Sequence, residues 1–140
     1  MAGSTPILIE SDGTNHGVPD FHQTISFQLS EPNLAAADNS VIFYAERDTV
    51  VESVVFTSAS TDANITIDLK SCPSGTGPAA GGTEVITQVV GVTAWTPVAA
   101  TIDTTENIVP AGSFLALAIV DGSANADYLH VQMRIRTRIV

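Results

Sequence analysis

The C-terminal stretch that decides the fold class of this chain reads Leu129-His-Val-Gln-Met-Arg-Ile-Arg-Thr-Arg-Ile-Val140. Successive side chains of a β-strand point to opposite faces, so the alternation of this stretch divides its residues into two rows. The apolar row consists of Leu129, Val131, Met133, Ile135 and Ile139. The polar row consists of His130, Gln132, Arg134, Arg136 and Arg138. The pattern predicts a strand that buries one face in a core and exposes guanidinium groups on the other.

Short alternating or apolar segments also occur along the rest of the chain. They predict strands at 21–29, 41–46, 50–58, 64–70, 84–90, 95–102 and 113–120. Turn residues separate these segments, and β-branched residues, which favour extended backbone, are abundant. Residues 31–39 could form one or two helical turns, and 73–82 is predicted to be a flexible loop. About eight short strands without a helical crossover favour an all-β, antiparallel, jelly-roll-like β-sandwich.

Length and composition predict one domain. We expect residues 1–20, which contain many Gly, Ser, Asp and Asn residues, to form an extended N-terminal arm, and residues 21–140 to form a single β-sandwich domain. The first residues lack the basic and apolar regions of a signal peptide. The longest apolar run, Phe114–Val120, is too short to span a bilayer. Cys72 is the single cysteine, so no disulfide within the chain is expected.

The charge balance excludes two classes of partner. The chain has 15 acidic residues against five Lys and Arg, a net charge of −10. Binding to nucleic acid requires cations that neutralise phosphates, and a membrane surface requires a basic cluster, whereas Lys70 is the single lysine. We therefore expect neither a nucleic acid nor a membrane as a partner. Charged residues make up 14% of the chain, below the ~25% typical of soluble domains, which favours a homo-oligomer or a larger assembly.

No motif predicts catalysis or a cofactor. The three histidines, at 16, 22 and 130, have no spacing typical of a catalytic triad, and no Gly-x-Ser-x-Gly sequence occurs. The glycines at 75 and 77 are not followed by the Lys-Ser/Thr pair of a phosphate-binding loop. Asp121–Asp127 has oxygen-bearing side chains at intervals that could suit calcium, and the group Asp12, Asn15, His16 and Asp20 is a weaker candidate. A hairpin turn explains the Asp121–Asp127 sequence better, so no metal site is predicted.

The polar row of the last strand is the candidate site. Three of the five cations lie at Arg134, Arg136 and Arg138, and they repel one another unless a negative group lies opposite. One interpretation is an edge strand whose charges prevent aggregation. Arg, however, forms bidentate bonds with carboxylates and is buried more readily than Lys, which favours a protein interface. The predicted interface residues are His130, Gln132, Arg134, Arg136 and Arg138, and the partner could be a second copy or another acidic surface.

Several stretches resemble the decoration, or cement, proteins of tailed phages. They are Val41-Ile-Phe-Tyr-Ala-Glu46, Val50-Val-Glu-Ser-Val-Val-Phe56, Ile65-Thr-Ile-Asp-Leu-Lys70 and Ile108-Val-Pro-Ala-Gly-Ser-Phe-Leu-Ala-Leu117. The resemblance covers roughly residues 41–140. It implies a jelly-roll protein without enzymatic activity on the outer surface of a virion that is assembled in the host bacterial cytoplasm. Its partners would be the major capsid protein and further copies of itself, as a homodimer or homotrimer.

A second function stays open. Trp95 and Tyr128 could stack on sugars in a carbohydrate-binding sandwich of a phage fibre or receptor-binding protein, although large aromatic residues in all-β chains more often anchor a core or an interface.

Overall fold

The computed structural model describes residues 21–30, 39–59, 62–121 and 128–138, and the statements below concern those residues. Ten strands and one short helix occur in this part of the chain. In order they are β1 (Phe21–Ser30), β2 (Asn39–Tyr44), β3 (Thr49–Ser58), β4 (Asp62–Cys72), α1 (Pro78–Gly81), β5 (Thr83–Glu84), β6 (Val89–Val92), β7 (Val98–Ala99), β8 (Ile108–Val109), β9 (Phe114–Asp121) and β10 (Tyr128–Thr137). No helix in these ranges is long and apolar enough to cross a bilayer.

The strands form two antiparallel sheets. The first sheet has the order β1-β10-β3-β7, and β8 also pairs with β3. The second sheet has the order β2-β9-β4-β5, and β6 also pairs with β4. Pairing is nested along the chain, because β1 pairs with β10, β2 with β9, β3 with β7 and β8, and β4 with β5 and β6. Such nested pairing across two stacked sheets is the connectivity of a jelly roll, which confirms the predicted fold class.

The core lies between the two sheets and is built from alternate residues of their strands. The inward side chains of β10, which are Leu129, Val131, Met133 and Ile135, are at most 1% exposed. They pack in one cluster with buried residues of β3, β4 and β9, including Phe56, Ile67, Leu69, Leu115 and Leu117. The alternation of the last strand therefore predicts its buried face correctly for every described residue of that row.

Two predicted strands are wrong in extent. The segment 84–90 is divided between β5 and β6, because Val85 and Ile86 are both buried and interrupt the alternation that a single strand requires. Of the segment 95–102, only Val98–Ala99 is a strand, since Trp95 lies in a turn and Pro97 has no N–H to donate. β8 and the single turn of α1, which lies inside the predicted loop 73–82, were not predicted from the sequence.

Some expectations fall outside the described residues. They are the N-terminal arm (1–20), the predicted helical turns up to residue 38, most of the Asp121–Asp127 loop, and Ile139. Asn39, the last residue of the predicted helical stretch, instead begins β2.

Candidate interaction surface

The arginine row lies on an open sheet face and not at a sheet edge. β10 is an interior strand, because β1 pairs with it along all ten of its residues on one side and β3 pairs with it on the other. Its outward side chains His130, Gln132, Arg134 and Arg136 therefore form the centre of a surface, which we call the arginine face together with His22 and Glu52. The interpretation of these charges as protection of an edge strand does not apply, since β10 has no unpaired edge in this sheet.

The fifth predicted interface residue lies just beyond the strand. Arg138 follows the end of β10, and its backbone N–H donates to the carbonyl oxygen of Asp48 at 2.9 Å. Asp48 lies between β2 and β3, and its side chain also accepts the N–H of Ala111 at 2.9 Å. One aspartate thus ties the end of β10 to the turn before β9. The exposed Arg138 side chain starts from a fixed backbone position beside the arginine face.

A β-bulge places a carboxylate among the arginines. Arg134 pairs with Ser53 and Ile135 pairs with Val51, so Glu52 is an extra residue in β3. A bulge of this kind bends the strand and redirects a side chain. Glu52 Oε2 lies 3.0 Å from Arg134 Nε, and Glu52 Oε1 lies 3.3 Å from Arg136 Nε. The negative group that the arginine row requires is therefore supplied, in part, by the same chain.

Glu52 also contacts a third basic side chain of the arginine face. His22 on β1 pairs with Arg136 in register, and its Nδ1 lies 3.2 Å from Glu52 Oε2. One carboxylate thus faces two guanidinium groups and an imidazole. Glu52 is partly exposed, so each ion pair is screened by water and contributes ~0.2–1 kcal/mol.

The two sheets end on the same side of the sandwich in strands without charge. Among the described strands, β1 and β2 are terminal in their sheets, and neither sequence contains Asp, Glu, Lys, Arg or Pro. A groove of about 250 Å³ between them is lined by Phe27, Leu29 and Ile42, which pack on the core but stay partly exposed. Val41 of β2 is 68% exposed. We call this side of the molecule the open edge.

Edge strands usually contain charges or prolines that prevent further pairing. The open edge has neither. The sequence did not predict the open edge, because whether a strand lies at an edge depends on the strand order of the sheet and not on the sequence of the strand. Glu52 was missed for a related reason, although the adjacent polar pair Glu52-Ser53 within an apolar run is the signal of a bulge.

The second sheet buries a carboxylate on its outer side. Asp68 has no exposed surface and lies on the face of β4 opposite Ile67 and Leu69. Its Oδ1 accepts the N–H of Leu69 at 2.8 Å, while Oδ2 lies 3.5 Å from Gln88 Nε2 and 3.8 Å from Lys70 Nζ. Loss of hydration raises the pKa of Asp68, and the charge of Glu84 raises it further. The hydrogen bond from the N–H of Leu69, and after it the weaker contacts to Gln88 and Lys70, offset only part of this rise in the pKa.

The other candidates from the sequence are a buried cysteine, the possible metal ligands and two exposed aromatic residues. Cys72 is buried at the end of β4, and burial raises the pKa of its thiol, so the thiolate that a nucleophile requires is disfavoured. In the described ranges, no three His, Cys, Asp or Glu side chains are grouped as metal ligands. Trp95 and Tyr128 are not core residues, because they are 77% and 50% exposed.

Comparisons with known proteins do not identify a family. No family model and no curated protein sequence matches the chain. Among solved structures, a chain of the cyanophage Pam1 capsid is 16% identical, with 98% of this chain and 99% of that chain covered and a TM-score of 0.49. A protein of Bacillus endospore appendages, described as a novel family of disulfide-linked pili, is 14% identical, with 87% and 90% covered and a TM-score of 0.46.

A third similar structure comes from infectious bursal disease virus, strain Gx. It is 9% identical, the match covers 90% of this chain and 35% of that one, and the TM-score is 0.41. All three TM-scores lie below 0.5. The jelly-roll fold of this chain therefore rests on its own strand order.

Proposed function

We propose that this chain is a non-enzymatic structural protein of a phage particle, which decorates the outside of the capsid and bridges neighbouring major capsid subunits. The observation that supports this proposal is the combination of the arginine face with the neighbouring open edge. β1 belongs to both surfaces, since its outward residues flank β10 and it pairs with a described strand on one side only. Two adjacent surfaces suited to protein contacts are what a bridging protein requires.

The two surfaces would contribute different interactions. Guanidinium groups form strong, directional bonds with carboxylates, so the arginine face suits an acidic patch on a capsid subunit or on a second copy. The open edge offers partly exposed apolar side chains on two strands, which suit contact with another β-rich subunit. A copy that contacts two subunits gains effective concentration for its second contact. Residues 1–20 would serve as an additional strap that binds across the capsid surface.

The proposal is tested on intact particles from the source of this gene. Mass spectrometry of purified particles should detect the chain, and cryo-electron microscopy should place it on the shell. The triple variant Arg134→Ser, Arg136→Ser, Arg138→Ser should reduce its occupancy on the shell while its thermal unfolding stays cooperative. Arg47→Ser, which removes a cation outside β10, is the matched control and should keep full occupancy.

Two results would contradict the proposal. One is absence of the chain from purified particles, and the other is unchanged occupancy of the triple variant. The second candidate function, a carbohydrate-binding module of a phage fibre, is favoured by one observation: Trp95 and Tyr128 line the same groove. In that role the chain would be found in the tail fibre and not on the shell, so the same micrographs separate the two functions.

A further inference from the structure

A groove of about 290 Å³ lies where one end of the first sheet meets the turn between β6 and β7. Two exposed aromatic side chains, Trp95 and Tyr128, line it together with Gln28, Thr57 and His130. Gln28 and His130 are partners in the pairing of β1 with β10, and His130 is itself paired with Thr57 of β3. The polar side of the groove is therefore a row of three side chains across three strands.

The backbone of Trp95 has a conformation that a tryptophan rarely adopts. The N–H of Thr96 donates to the carbonyl oxygen of Thr93 at 3.1 Å, so Trp95 is the third residue of a turn, and its φ is +59°. Glycine is the usual residue at such a position, because a Cβ atom is strained there. Trp95 is the one non-glycine residue with positive φ in the described part of the chain.

The turn is fixed and the indole is not buried. The N–H of Trp95 donates to the carbonyl oxygen of Ser58 at the end of β3, at 2.8 Å. The side chain remains 77% exposed, so packing within the chain does not offset the strain. Strained residues of this kind occur at ligand sites, where the surrounding structure holds them in place for binding.

We propose that this groove binds a neutral oligosaccharide. Its described lining residues contain an amide, hydroxyl groups, an imidazole and two aromatic rings, but no Asp, Glu, Lys or Arg. A neutral lining suits an uncharged ligand, and the net charge of −10 disfavours acidic polysaccharides. This inference deepens the second candidate function by naming its class of ligand. It does not depend on the capsid role, because a glycan-binding groove could serve a protein on the shell or in a fibre.

Sugar rings match this combination of groups. A pyranose has a face of C–H groups that stacks on an aromatic ring, and hydroxyl groups at its rim that exchange hydrogen bonds with amides, hydroxyls and imidazoles. The groove volume is at the small end of the range for ligand pockets, with room for about one or two sugar rings. Stacking on Trp95 would orient the ring toward Gln28, Thr57 and His130.

The test uses the full chain and an array of neutral and uronic-acid-containing oligosaccharides, followed by titration of the best-bound neutral compound. Trp95 is the single tryptophan of the chain, so its fluorescence reports directly on occupancy of the groove. We expect binding to weaken about tenfold or more in Trp95→Gly and in Tyr128→Ala. Trp95→Gly should also raise the melting temperature, because glycine adopts a positive φ without strain.

The matched control is Tyr44→Ala, which removes a tyrosine of similar exposure that lines a different groove. It should leave oligosaccharide binding unchanged. The proposal is overturned if no neutral oligosaccharide binds, if Trp95→Gly binds as tightly as the parent, or if acidic compounds alone bind. It is also overturned if Trp95 becomes buried on addition of capsid particles, since the groove would then be a protein contact. The first three outcomes do not bear on shell occupancy, which tests the capsid role separately. Burial of Trp95 on the particles would overturn the oligosaccharide proposal and would support binding to the shell.

Discussion

Two aspartates show how the environment of a single residue changes the sign of its contribution to stability. Burial raises the pKa of Asp68 above its ordinary value of 3.8. At the partly exposed Asp103 the pKa is lowered, first by the hydroxyl of Thr105 at 2.6 Å and then by the N–H of Thr105 at 2.9 Å. The Asp68 contribution is fully present below pH 3.8 and is lost as the pH rises through its folded pKa. The Asp103 contribution is present above pH 3.8 and is lost as the pH falls through its folded pKa.

We therefore predict opposite effects for the two isosteric variants. Asp68→Asn should increase the free energy of unfolding at neutral pH, because the buried charge is removed, and the gain should shrink as the pH falls toward about 3.8. Asp103→Asn should decrease the free energy of unfolding at neutral pH. This decrease should become smaller as the pH falls below about 3.8, because Asp103 is then protonated in the parent protein as well. Urea unfolding from neutral pH to about pH 3 measures both differences. Equal pH profiles for the two variants would contradict the assignment.

Gly82 is required because the chain passes very close to β4 at this residue. A Cβ atom there would lie 2.8 Å from Cys72 Sγ and 2.9 Å from Lys70 Cβ. We predict that Gly82→Ala lowers the free energy of unfolding by ~1–3 kcal/mol, as expected for overpacking. Gly77→Ala is the control, since a Cβ atom at Gly77 would have no neighbour within 4 Å, and it should stay within ~0.5 kcal/mol of the parent. Denaturant unfolding measures the free energy of unfolding of both variants. If the two substitutions lower it equally, small shifts of the neighbouring atoms relieve the close approach at Gly82.

At the scale of the element, the bulge in β3 places the carboxylate of Glu52 against the arginines of β10. Glu52 contacts both Arg134 and Arg136 and so reduces the repulsion between these two guanidinium groups. We predict that Glu52→Gln lowers the free energy of unfolding by ~1 kcal/mol at low ionic strength, and by less in ~1 M salt, where charges are screened. Glu106→Gln, an exposed glutamate outside the arginine face, should have little effect at either salt concentration. A loss that is independent of salt would mean that Glu52 acts through packing and not through charge.

Among the strands, the sequence predicted position and extent best for those that bury one face along their whole length. β10 and the central part of β4 alternate regularly, and the structure follows them. The sequence predicted strand positions least well between residues 83 and 109, where strands of two to four residues pair with longer ones. Their conformation depends on the long strands beside them, since Val85 donates to the carbonyl of Leu69 and Ala100 to that of Val54. The alternation of residues within a short segment does not indicate such hydrogen bonds to distant strands.

At the scale of the whole molecule, the jelly-roll class was predictable and the open edge was not. The class follows from the number and spacing of strands, which the sequence contains. The edge follows from which strands are terminal, and that is decided by nested pairing between the two ends of the chain. The candidate site divides in the same way: the arginine row was predicted from alternation, whereas Glu52, His22 and the proximity of Trp95 to Tyr128 depend on the register between distant strands.

The open edge also leads to a prediction for the isolated protein. If it is a contact surface between copies, the parent chain should self-associate with increasing concentration, and Val41→Lys should prevent this by placing a charge on the edge. Val90→Lys is the control, because Val90 is equally exposed, at 69% against 68% for Val41. Val90 lies on β6, which β4 and β9 separate from β2 within the second sheet. Sedimentation velocity over a concentration series measures the distribution of species for all three proteins. If Val41→Lys and Val90→Lys change it equally, the open edge is not the contact between copies, and the arginine face remains the surface through which the chain would assemble.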